Sequence, residues 1–304
     1  MNITFYSMEK LRRQLEENQE EFIAFCEEES REKPRKLARQ LAKHKGQPVV
    51  LLCGPSGSGK TTTASRLAQE LHALGFPARA ISMDHYFLPA INPDVPRDAN
   101  GEIDFESPYR LDISLLSKQM EDIFACRPTY VPYYDFPTQS RKPGFLFQRQ
   151  PDEFVIFEGI HALNPLVTGA ALDFSSRIYI SVRTRLRFEN GECLHPSHIR
   201  LMRRLLRDSR YRGRSFLETM DLLPSVTAGE EDHILPFKRF ADYELDSFMP
   251  YEGAVYASLL TGENLPQHRL TGKLRRFLEF LPSLSQENVP GDSLLREFIG
   301  EIEE

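Results

Sequence analysis

Eight residues, 54–61, limit the folds open to this chain more than any other segment does. They read Gly-Pro-Ser-Gly-Ser-Gly-Lys-Thr and match the phosphate-binding pattern G-x-x-x-x-G-K-[ST]. A continuous apolar run, residues 48–53, precedes the pattern, and residues 61–74 follow it with leucines at helical spacing. Because such a loop holds phosphate between a buried strand and the first turn of a helix, the segment predicts a strand–loop–helix unit.

Three further short apolar runs, residues 78–83, 154–157 and 177–182, have the length and composition of buried strands. Helical patterns such as residues 111–125 lie between them, and residues 88–109, rich in Pro, Asp and Asn, predict a long surface loop. Strands that alternate with helices are typical of an α/β fold with a parallel sheet. The sequence therefore predicts a P-loop NTPase fold, in which helices flank a parallel sheet.

The chain divides by composition into a core and two helical additions. Residues 1–46 are highly charged and helix-favouring and predict an N-terminal helical arm, in which Pro34 separates two helices. Residues 47–255 hold the strands and the phosphate loop and form the predicted core domain, with a basic helical lid at about residues 197–223. Residues 256–304 predict a helical C-terminal extension packed on the core.

The charge balance and the apolar pattern argue against several classes of partner. A net charge of −6 disfavours a nucleic-acid-binding face, since phosphate backbones attract an excess of Lys and Arg. No stretch approaches the roughly 20 apolar residues of a membrane-spanning helix. The cysteines lie far apart without metal-site spacing and fit reduced thiols: Cys26, Cys53, Cys126 and Cys193. We therefore expect a cytoplasmic protein that binds neither nucleic acid nor membrane.

Each part of the glycine-rich loop has a physical reason to bind the phosphates of a nucleotide. Glycine lets the backbone wrap closely around an anion, and successive N–H groups then point inward. The Lys60 ammonium can reach the β- and γ-phosphates, and the Thr61 hydroxyl can ligate Mg²⁺. We expect ATP as the donor, with GTP left open, and Mg²⁺ as the metal. The predicted phosphate ligands are Gly54, Ser56, Gly57, Ser58, Gly59, Lys60, Thr61 and Thr62.

Two carboxylates lie at the ends of predicted strands. Asp84 comes directly after the run 78–83, where it could take the proton of an attacking hydroxyl. The alternative is a helix N-cap or a loop aspartate. Glu158 ends the run 154–157, where it could support Mg²⁺ together with Thr61; the alternative is an acid that faces solvent. Because ligands of parallel sheets bind at the carboxyl ends of the strands, both are candidate site residues.

A basic stretch carries seven arginines within fifteen residues, with Asp208 as almost the only acid nearby. They are Arg200, Arg203, Arg204, Arg207, Arg210, Arg212 and Arg214. Several fall on one helical face, and guanidinium groups bind phosphate oxygens through two parallel hydrogen bonds. In a protein that is acidic as a whole, this local reversal favours a mobile anion-binding lid over an ordinary solvated helix face.

Taken together, these segments resemble the uridine kinase and phosphoribulokinase family of P-loop kinases. The likeness covers about residues 47–255 and rests on six blocks in the expected order, GPSGSGKTT (54–62), SMDHYF (82–87), IDFESPYRLD (103–112), VPYYDFPTQSR (131–141), FEGIHAL (157–163) and RLMRRLLRDSRYRGR (200–214). Two more blocks, GEEDHILPF (229–237) and ADYELDSFMPYE (241–252), extend it. Several blocks are unrelated to nucleotide binding in general, so the likeness is specific to this family.

The resemblance implies ATP-dependent phosphorylation of the 5′-hydroxyl of a nucleoside such as uridine or cytidine, as in the bacterial nucleoside kinase branch. It makes Asp84 the general base, with Lys60 and Arg207 as further catalytic residues, and it places Arg204 and Arg212 at the phosphates. The acceptor-binding residues that it implies are Asp84, Phe105, Glu106, Tyr134, Phe136, Gln139, Arg141 and Arg214.

Two of these positions depart from the family pattern. Glu106 stands where the family has an aspartate that holds ribose hydroxyls, and glutamate is longer by one methylene. Gln139 stands where the family has a histidine that reads the pyrimidine edge. An amide offers both a donor and an acceptor, so base recognition in an altered form and a different acceptor are both open.

Two other functions stay open on the sequence. One is a kinase for a sugar phosphate or another small alcohol, whose acceptor phosphate the arginines would bind. The other is a catalytically inactive nucleotide-binding regulatory protein, with the arm and the extension as interaction surfaces. Since kinases of the resembled family often assemble, a homo-oligomer is open as well; the other expected partner is a small-molecule acceptor.

Overall fold

The computed structural model describes residues 4–44, 46–97, 101–260 and 265–301 of the chain. Its α-helices are Met8–Glu17 (α1), Gln19–Leu41 (α2), Lys60–Ala73 (α3), Ile113–Phe124 (α4), Pro165–Thr168 (α5), Pro196–Tyr211 (α6), Phe216–Asp221 (α7), Leu223–His233 (α8), Glu252–Leu259 (α9), Thr271–Phe280 (α10) and Arg296–Ile299 (α11). Its strands are Phe5–Ser7 (β1), Val49–Cys53 (β2), Ala78–Ser82 (β3), Thr129–Asp135 (β4), Ser140–Phe147 (β5), Phe154–Gly159 (β6), Ser175–Ser181 (β7), Arg185–Arg187 (β8), Cys193–Leu194 (β9) and Tyr243–Asp246 (β10). Short 3₁₀-helices lie at Met83–Tyr86, Pro108–Arg110, Gly169–Phe174, Leu235–Phe240 and Gln286–Asn288. None of the helices in these ranges is long and apolar enough to cross a membrane.

Five of the described strands form one parallel sheet in the order β10-β7-β2-β6-β3. The central strand β2 is buried along its whole length, as its continuous apolar sequence predicts. Glu158 of β6 lies in register with Leu52 of β2 on one side and with Ser82 of β3 on the other. The carboxyl ends of these three strands therefore meet at one edge of the sheet. The predicted α/β fold, a parallel sheet flanked by helices, is confirmed.

Apolar layers cover both faces of this sheet, because successive side chains of a strand point to opposite faces. On one face Val50 and Leu52 belong to a layer with Leu67 of α3 and Leu41 of α2. On the other face Leu51 belongs to a layer that α4 completes. Burial of one such leucine contributes roughly 1.5–3 kcal/mol. Strand β2 is thus fixed from both sides, and so is the start of the loop that follows it.

A third apolar cluster lies beside the sheet and joins distant parts of the chain. It contains Met8 and Leu11 of α1, Met202 of α6, Leu278 of α10 and Phe298 of α11. Each of these side chains is at most 1% exposed. The arm, the arginine-rich helix and the extension therefore share one core. The predicted domain boundaries themselves stay a prediction.

The arm differs from the sequence-based expectation at Pro34. Helix α2 runs through this proline from Gln19 to Leu41, so the expectation that Pro34 separates two helices is wrong. The break lies instead at Asn18, whose φ is −144°. A proline inside a helix costs about 3 kcal/mol or more. The packing of Leu41 and its neighbours against α3 and the sheet outweighs this cost.

Candidate active site

The phosphate loop wraps as its glycines allow. Gly57 and Gly59 have φ of 74° and 81°, in the left-handed region that side chains disfavour. Gly54 lies so close to strand β7 that an added Cβ would stand 2.1 Å from the Ile180 carbonyl oxygen. Gly59 is the N-cap residue of α3, so the loop leads directly into the positive end of that helix dipole.

The lysine and threonine of the loop face the end of the sheet. Lys60 Nζ donates to the Pro55 carbonyl at 3.3 Å, which folds the ammonium back over the loop. Thr61 Oγ1 donates to Glu158 Oε1 at 3.3 Å. Glu158 is buried, and this burial raises its pKa to about 7, against the opposing charge of Lys60 and with support from Asp84. A hydroxyl and a carboxylate side by side are oxygen donors of the kind that Mg²⁺ prefers, so the pair fits the predicted metal site.

Asp84 lies in the 3₁₀-helix that follows β3, half-buried at the same edge of the sheet. Arg141 holds this turn from behind. Its guanidinium donates to the carbonyls of Tyr86 and Phe87 at 2.8 and 2.9 Å, and it pairs with Asp112 at 3.0 Å. The structure therefore places Arg141 where it positions the segment that carries Asp84.

A cavity of about 260 Å³ opens beside Ser56 of the phosphate loop. Its other lining residues are Glu102, Ile103, Phe105, Glu106, Gln139, Arg204, Arg212, Arg214, Leu222, Ser225 and Val226. With Ser56 included, seven of the lining residues were predicted from the sequence as phosphate or acceptor ligands, from four separate segments of the chain. The structure brings them together, whereas Asp84, Tyr134, Phe136 and Arg141, also predicted as acceptor ligands, do not line the cavity.

The charged groups of the cavity are desolvated and incompletely paired. Burial raises the pKa of Glu106 to about 7, against the charge of Arg204. Burial, together with the charge of the neighbouring Arg207, lowers the pKa of Arg212 to about 10. Within the described ranges, Glu106 Oε2 and the Nε and Nη1 atoms of Arg204 have no hydrogen-bond partner. Buried groups of this kind are stabilised by a ligand that completes their bonds, which marks the cavity as a candidate binding site.

Aromatic rings support this cavity in two layers. Phe105 lies in its wall, and the Arg214 guanidinium sits 5.4 Å from the ring centroid. Phe136 lies behind it, and the Arg212 guanidinium lies 5.4 Å from the centroid of the Phe136 ring. Tyr134 is buried further back, and its hydroxyl accepts a 2.6 Å bond from Arg110. Phe105 alone of the three rings is a lining residue of the cavity, and the Arg110 guanidinium also lies 5.6 Å from its centroid.

Helix α6 lies across the phosphate loop, and its arginines donate hydrogen bonds to the backbone of the loop. Arg200 Nη1 donates to the Ser56 carbonyl at 3.1 Å, and Arg203 Nη1 donates to the Gly57 carbonyl at 3.2 Å. Arg207 Nη2 donates to the Ser56 hydroxyl at 3.3 Å. The arginines therefore reach the loop without any movement of this helix. The mobile lid stays a prediction.

Acids from outside the basic stretch neutralise two of its arginines. Arg200 pairs with Glu230 of α8 at 2.5 Å, and Arg203 pairs with Glu252 of α9 at 2.7 Å. Asp208 is the acid within residues 200–214, and the fold adds these two acids from outside the stretch. Arg203 and Glu252 are both fully buried, so this pair is structural.

One contact at the loop was missed by the sequence reasoning. Thr62, predicted as a phosphate ligand, donates its backbone N–H and its hydroxyl to Glu297 Oε2, at 3.1 and 2.8 Å. The Ser58 side chain is buried, and among the described residues its hydroxyl has no hydrogen-bond partner. Glu297 lies outside every block that carried the family resemblance, so no sequence signal pointed to it.

Comparison with known proteins decides the family. The model of the Phosphoribulokinase / Uridine kinase family matches residues 49–249, more than half of the chain. The chain belongs to this family. The phosphate loop, Asp84, Glu158 and the arginines of α6 all lie inside the matched region. A kinase of this family is a phosphotransferase, and ATP is the donor typical of the family.

Individual relatives are more distant. The chain is 28% identical over 204 residues to a uridine kinase of Ligilactobacillus salivarius, and the aligned region covers 66% of this chain and 86% of the relative. It is 27% identical over 199 residues to a uridine kinase of Staphylococcus aureus, and the aligned region covers 65% of this chain and 86% of that kinase. Among solved structures it is similar to a possible uridine kinase from Bacillus stearothermophilus, with a TM-score of 0.43, 21% identity and coverage of 70% and 98%.

Proposed function

We propose that this family kinase transfers the γ-phosphate of ATP to the 5′-hydroxyl of a nucleoside such as uridine or cytidine. The observation that carries the proposal is the cavity beside Ser56, since it combines an aromatic face, a buried carboxylate and an amide in one small space. These are groups that can stack on a base, hold sugar hydroxyls and pair with a base edge. The names of the two bacterial relatives, both uridine kinases, support the same acceptor.

Recognition of the acceptor would be divided among three residues. Phe105 would stack on the base, with Arg214 on the same ring. Glu106 would accept hydrogen bonds from the ribose hydroxyls, which would satisfy the oxygen that has no partner among the described residues. Gln139 would pair with the edge of the base through its amide. The backbone of Gln139 has φ of 47°, so the residue is held in a bent loop conformation.

Asp84 would act as the general base in the transfer step. The acceptor oxygen forms a bond to the γ-phosphorus while the bond from that phosphorus to the β–γ bridging oxygen breaks. The hydroxyl proton passes to the Asp84 carboxylate, and ADP leaves. Since the transition state is loose, most of the rate enhancement comes from positioning and from charge stabilisation by Lys60, the loop amides and the arginines at 204, 207 and 212. Residues 197–223 would supply these arginines as a lid.

Thr61 and Glu158 would hold Mg²⁺. Their oxygens are 3.3 Å apart, at the edge of the sheet where the phosphates would arrive. When bound, the ion would neutralise charge on the β- and γ-phosphates. Glu158 must lose its proton to ligate a metal, and its raised pKa makes this step depend on pH near neutrality.

A second candidate acceptor is a sugar phosphate. Arg204, Arg212 and Arg214 all line the same cavity, and Arg204 keeps guanidinium nitrogens without a hydrogen-bond partner among the described residues. Arginine side chains bind phosphate with two parallel hydrogen bonds. Three of them around one small space could therefore serve a phosphate on the acceptor as well as the donor.

A transfer screen separates these functions. Purified protein is given ATP or GTP labelled at the γ-phosphate, Mg²⁺, and a panel of nucleosides, sugar phosphates and small polyols. We expect label on uridine or cytidine, with the Asp84→Asn variant as the control for contaminating kinases. Label only on a sugar phosphate would favour the second candidate. Binding of nucleotide without transfer to any acceptor would favour a catalytically inactive regulatory protein.

A further inference from the structure

Glu297 of α11 contacts the phosphate loop where α3 begins. Its Oε2 accepts hydrogen bonds from both the backbone N–H and the hydroxyl of Thr62, at 3.1 and 2.8 Å. Thr62 is the third residue of α3, and the first N–H groups of a helix have no partner inside it. These groups are the ones that a phosphate-binding helix offers to an anion. A carboxylate of the protein itself therefore occupies hydrogen-bond donors of the predicted phosphate site.

The segment that carries Glu297 is packed over the loop. Leu294 covers Gly59 so closely that an added Cβ there would lie 2.9 Å from Leu294 Cδ1. Arg210 of α6 donates to the Ile299 carbonyl at the other end of the segment. Leu294 and Ile299 are both buried. The position of Glu297 is therefore set by a folded core, and the contact with Thr62 is not that of a freely moving surface side chain.

The N-terminal arm and α3 fasten the same segment. Arg31 of α2 pairs with Asp292 at 2.8 Å, and Arg66 of α3 donates to the Asp292 carbonyl. Arg296 closes the segment on itself with bonds to the Gly300 and Gln286 carbonyls, at 3.1 and 3.0 Å. Two parts of the chain that lie outside the family-matched region thus act together to hold one carboxylate at the phosphate loop.

We propose that residues 290–300 form an autoinhibitory plug, in which Glu297 stands in for a phosphate of the nucleotide and must leave Thr62 before ATP binds. The inference rests on the proposed function at one point, the assignment of Thr62 to a donor phosphate. Two anions cannot share the same pair of donors, and at contact distance their charges repel each other. Nucleotide binding is therefore weaker in this chain than in the same site without the carboxylate.

The structure also has room for the release of the plug. A cavity of about 680 Å³ lies next to Glu297, and Thr61, Thr62, Arg31 and Arg66 are among its lining residues. The carboxylate can swing into this space while Leu294 and Ile299 keep the segment docked. The two guanidinium groups in the same wall would stabilise it there. Release then requires a side-chain movement and a local shift, without unfolding of the extension.

Binding of ADP, measured by calorimetry in Mg²⁺, tests the plug on the full chain. Glu297→Gln keeps the shape of the side chain and removes its charge, and we expect it to lower the Kd for ADP by about tenfold, because hydrogen bonds to charged groups are the strong ones. Glu297→Ala should act in the same direction. Glu287→Gln makes the same charge change at an exposed position of the extension and should leave the Kd unchanged.

A second measurement needs no variant. Hydrogen exchange of the amides in residues 290–300 of the unmodified protein should become faster when ADP is added, because loss of the Glu297–Thr62 bonds loosens the segment even while Leu294 and Ile299 keep it docked. Equal ADP affinity in the unmodified protein, Glu297→Gln and Glu297→Ala, or slower exchange with ADP, would overturn the plug and leave the proposed function intact. Failure of every protein to bind ADP would overturn the phosphate assignment of Thr62 and the plug with it.

Discussion

The phosphate loop and the cavity beside Ser56 lie side by side, yet several of their polar groups differ in whether they already have hydrogen-bond partners. On the loop, two of the predicted phosphate ligands already have partners: Thr62 donates to Glu297, and the Ser56 hydroxyl accepts from Arg207. The Ser58 hydroxyl has none among the described residues. In the cavity, Glu106 Oε2 and Arg204 Nε have no hydrogen-bond partner in the part of the chain that the structure describes. A ligand on the loop must displace the partners of Thr62 and Ser56, whereas a ligand in the cavity completes the bonds of Glu106 and Arg204.

This difference separates the costs of the two binding events. A buried polar group without a partner destabilises a protein by about 1–3 kcal/mol, and a ligand that completes its bonds recovers that free energy. An exchange of one partner for another recovers much less. We therefore expect the cavity to contribute more to specificity and the loop more to the control of access.

The largest expected effect is that of Asp84→Asn, which should lower the rate of transfer to the acceptor and leave the affinity for ATP nearly unchanged. Loss of a general base lowers kcat by about 10²–10⁴-fold. The Kd for ATP should stay within about threefold, because Asp84 is assigned to the acceptor hydroxyl and not to the phosphates. Single-turnover kinetics and calorimetry measure the two quantities. Asp94→Asn, at an exposed loop position, is the matched control, and undiminished turnover of Asp84→Asn would remove Asp84 as the base.

Arg203 and Arg204 are neighbours on α6, and methionine at each position separates structure from function. Arg203→Met leaves the buried Glu252 carboxylate unpaired and should lower the free energy of unfolding by about 3–5 kcal/mol. Arg204→Met removes a guanidinium that has unpartnered nitrogens among the described residues, so stability should change by less than about 1 kcal/mol. Its kcat/KM for the acceptor should fall by about a hundredfold or more. Urea unfolding and steady-state kinetics measure both, and equal destabilisation by the two variants would contradict a binding role for Arg204.

Two carboxylates have a pKa raised to about 7: Glu158 beside the phosphate loop and Glu106 in the cavity. They should give two separable pH dependences. Below pH 7 Glu158 binds a proton that Mg²⁺ must displace, so the Mg²⁺ requirement for ADP binding should rise by about tenfold for each pH unit below 7. In Glu158→Gln this pH dependence should vanish along with tight Mg²⁺ binding. Glu106→Gln should leave the pH dependence of the Mg²⁺ requirement unchanged. It should instead remove a pH dependence from the KM of the acceptor. Titrations at pH 6, 7 and 8 decide the matter, and an unchanged Mg²⁺ profile in Glu158→Gln would exclude Glu158 as a metal ligand.

Gln139→His gives the smallest expected effect and tests the base edge alone. Histidine tolerates the left-handed backbone found at this position, so the free energy of unfolding should stay within about 0.5 kcal/mol. We expect the KM for uridine to change by about two- to fivefold with kcat unaffected. A steady-state comparison of uridine and cytidine measures the change. Loss of turnover with every acceptor would mean that Gln139 does more than contact the base.

The sequence predicted the centre of the fold better than its periphery. Strands buried on both faces, such as β2 and β6, show as unbroken apolar runs and were found. The antiparallel pair β4 and β5 and the edge strand β10 were not predicted, because their residues are partly exposed and mix polar with apolar side chains. The misplaced helix break at Pro34 has a similar cause, since tertiary packing overrides local propensity.

Site residues follow the same division. Motif spacing predicted Lys60 and Thr61 as ligands, and the family blocks predicted six of the residues that line the cavity beside Ser56. Five other lining residues were not predicted as ligands: Glu102, Ile103, Leu222, Ser225 and Val226. Partners from distant segments could not be read from any local pattern. Glu252 lies 49 residues from Arg203, and Glu297 lies 235 residues from Thr62. Such pairs are set by the packing of helices, which a single sequence does not display.

The plug has a consequence for the order of folding. Arg31 and Asp292 are separated by 261 positions along the chain, and Glu27 and Tyr251, which share a buried hydrogen bond, by 224. Contacts between residues so far apart close large loops and form slowly, whereas α3 follows β2 directly along the chain. We expect pulse-labelled amides of residues 290–300 to gain protection late during refolding. A newly folding molecule would then pass through a stage in which its phosphate loop is open, before the segment closes over it.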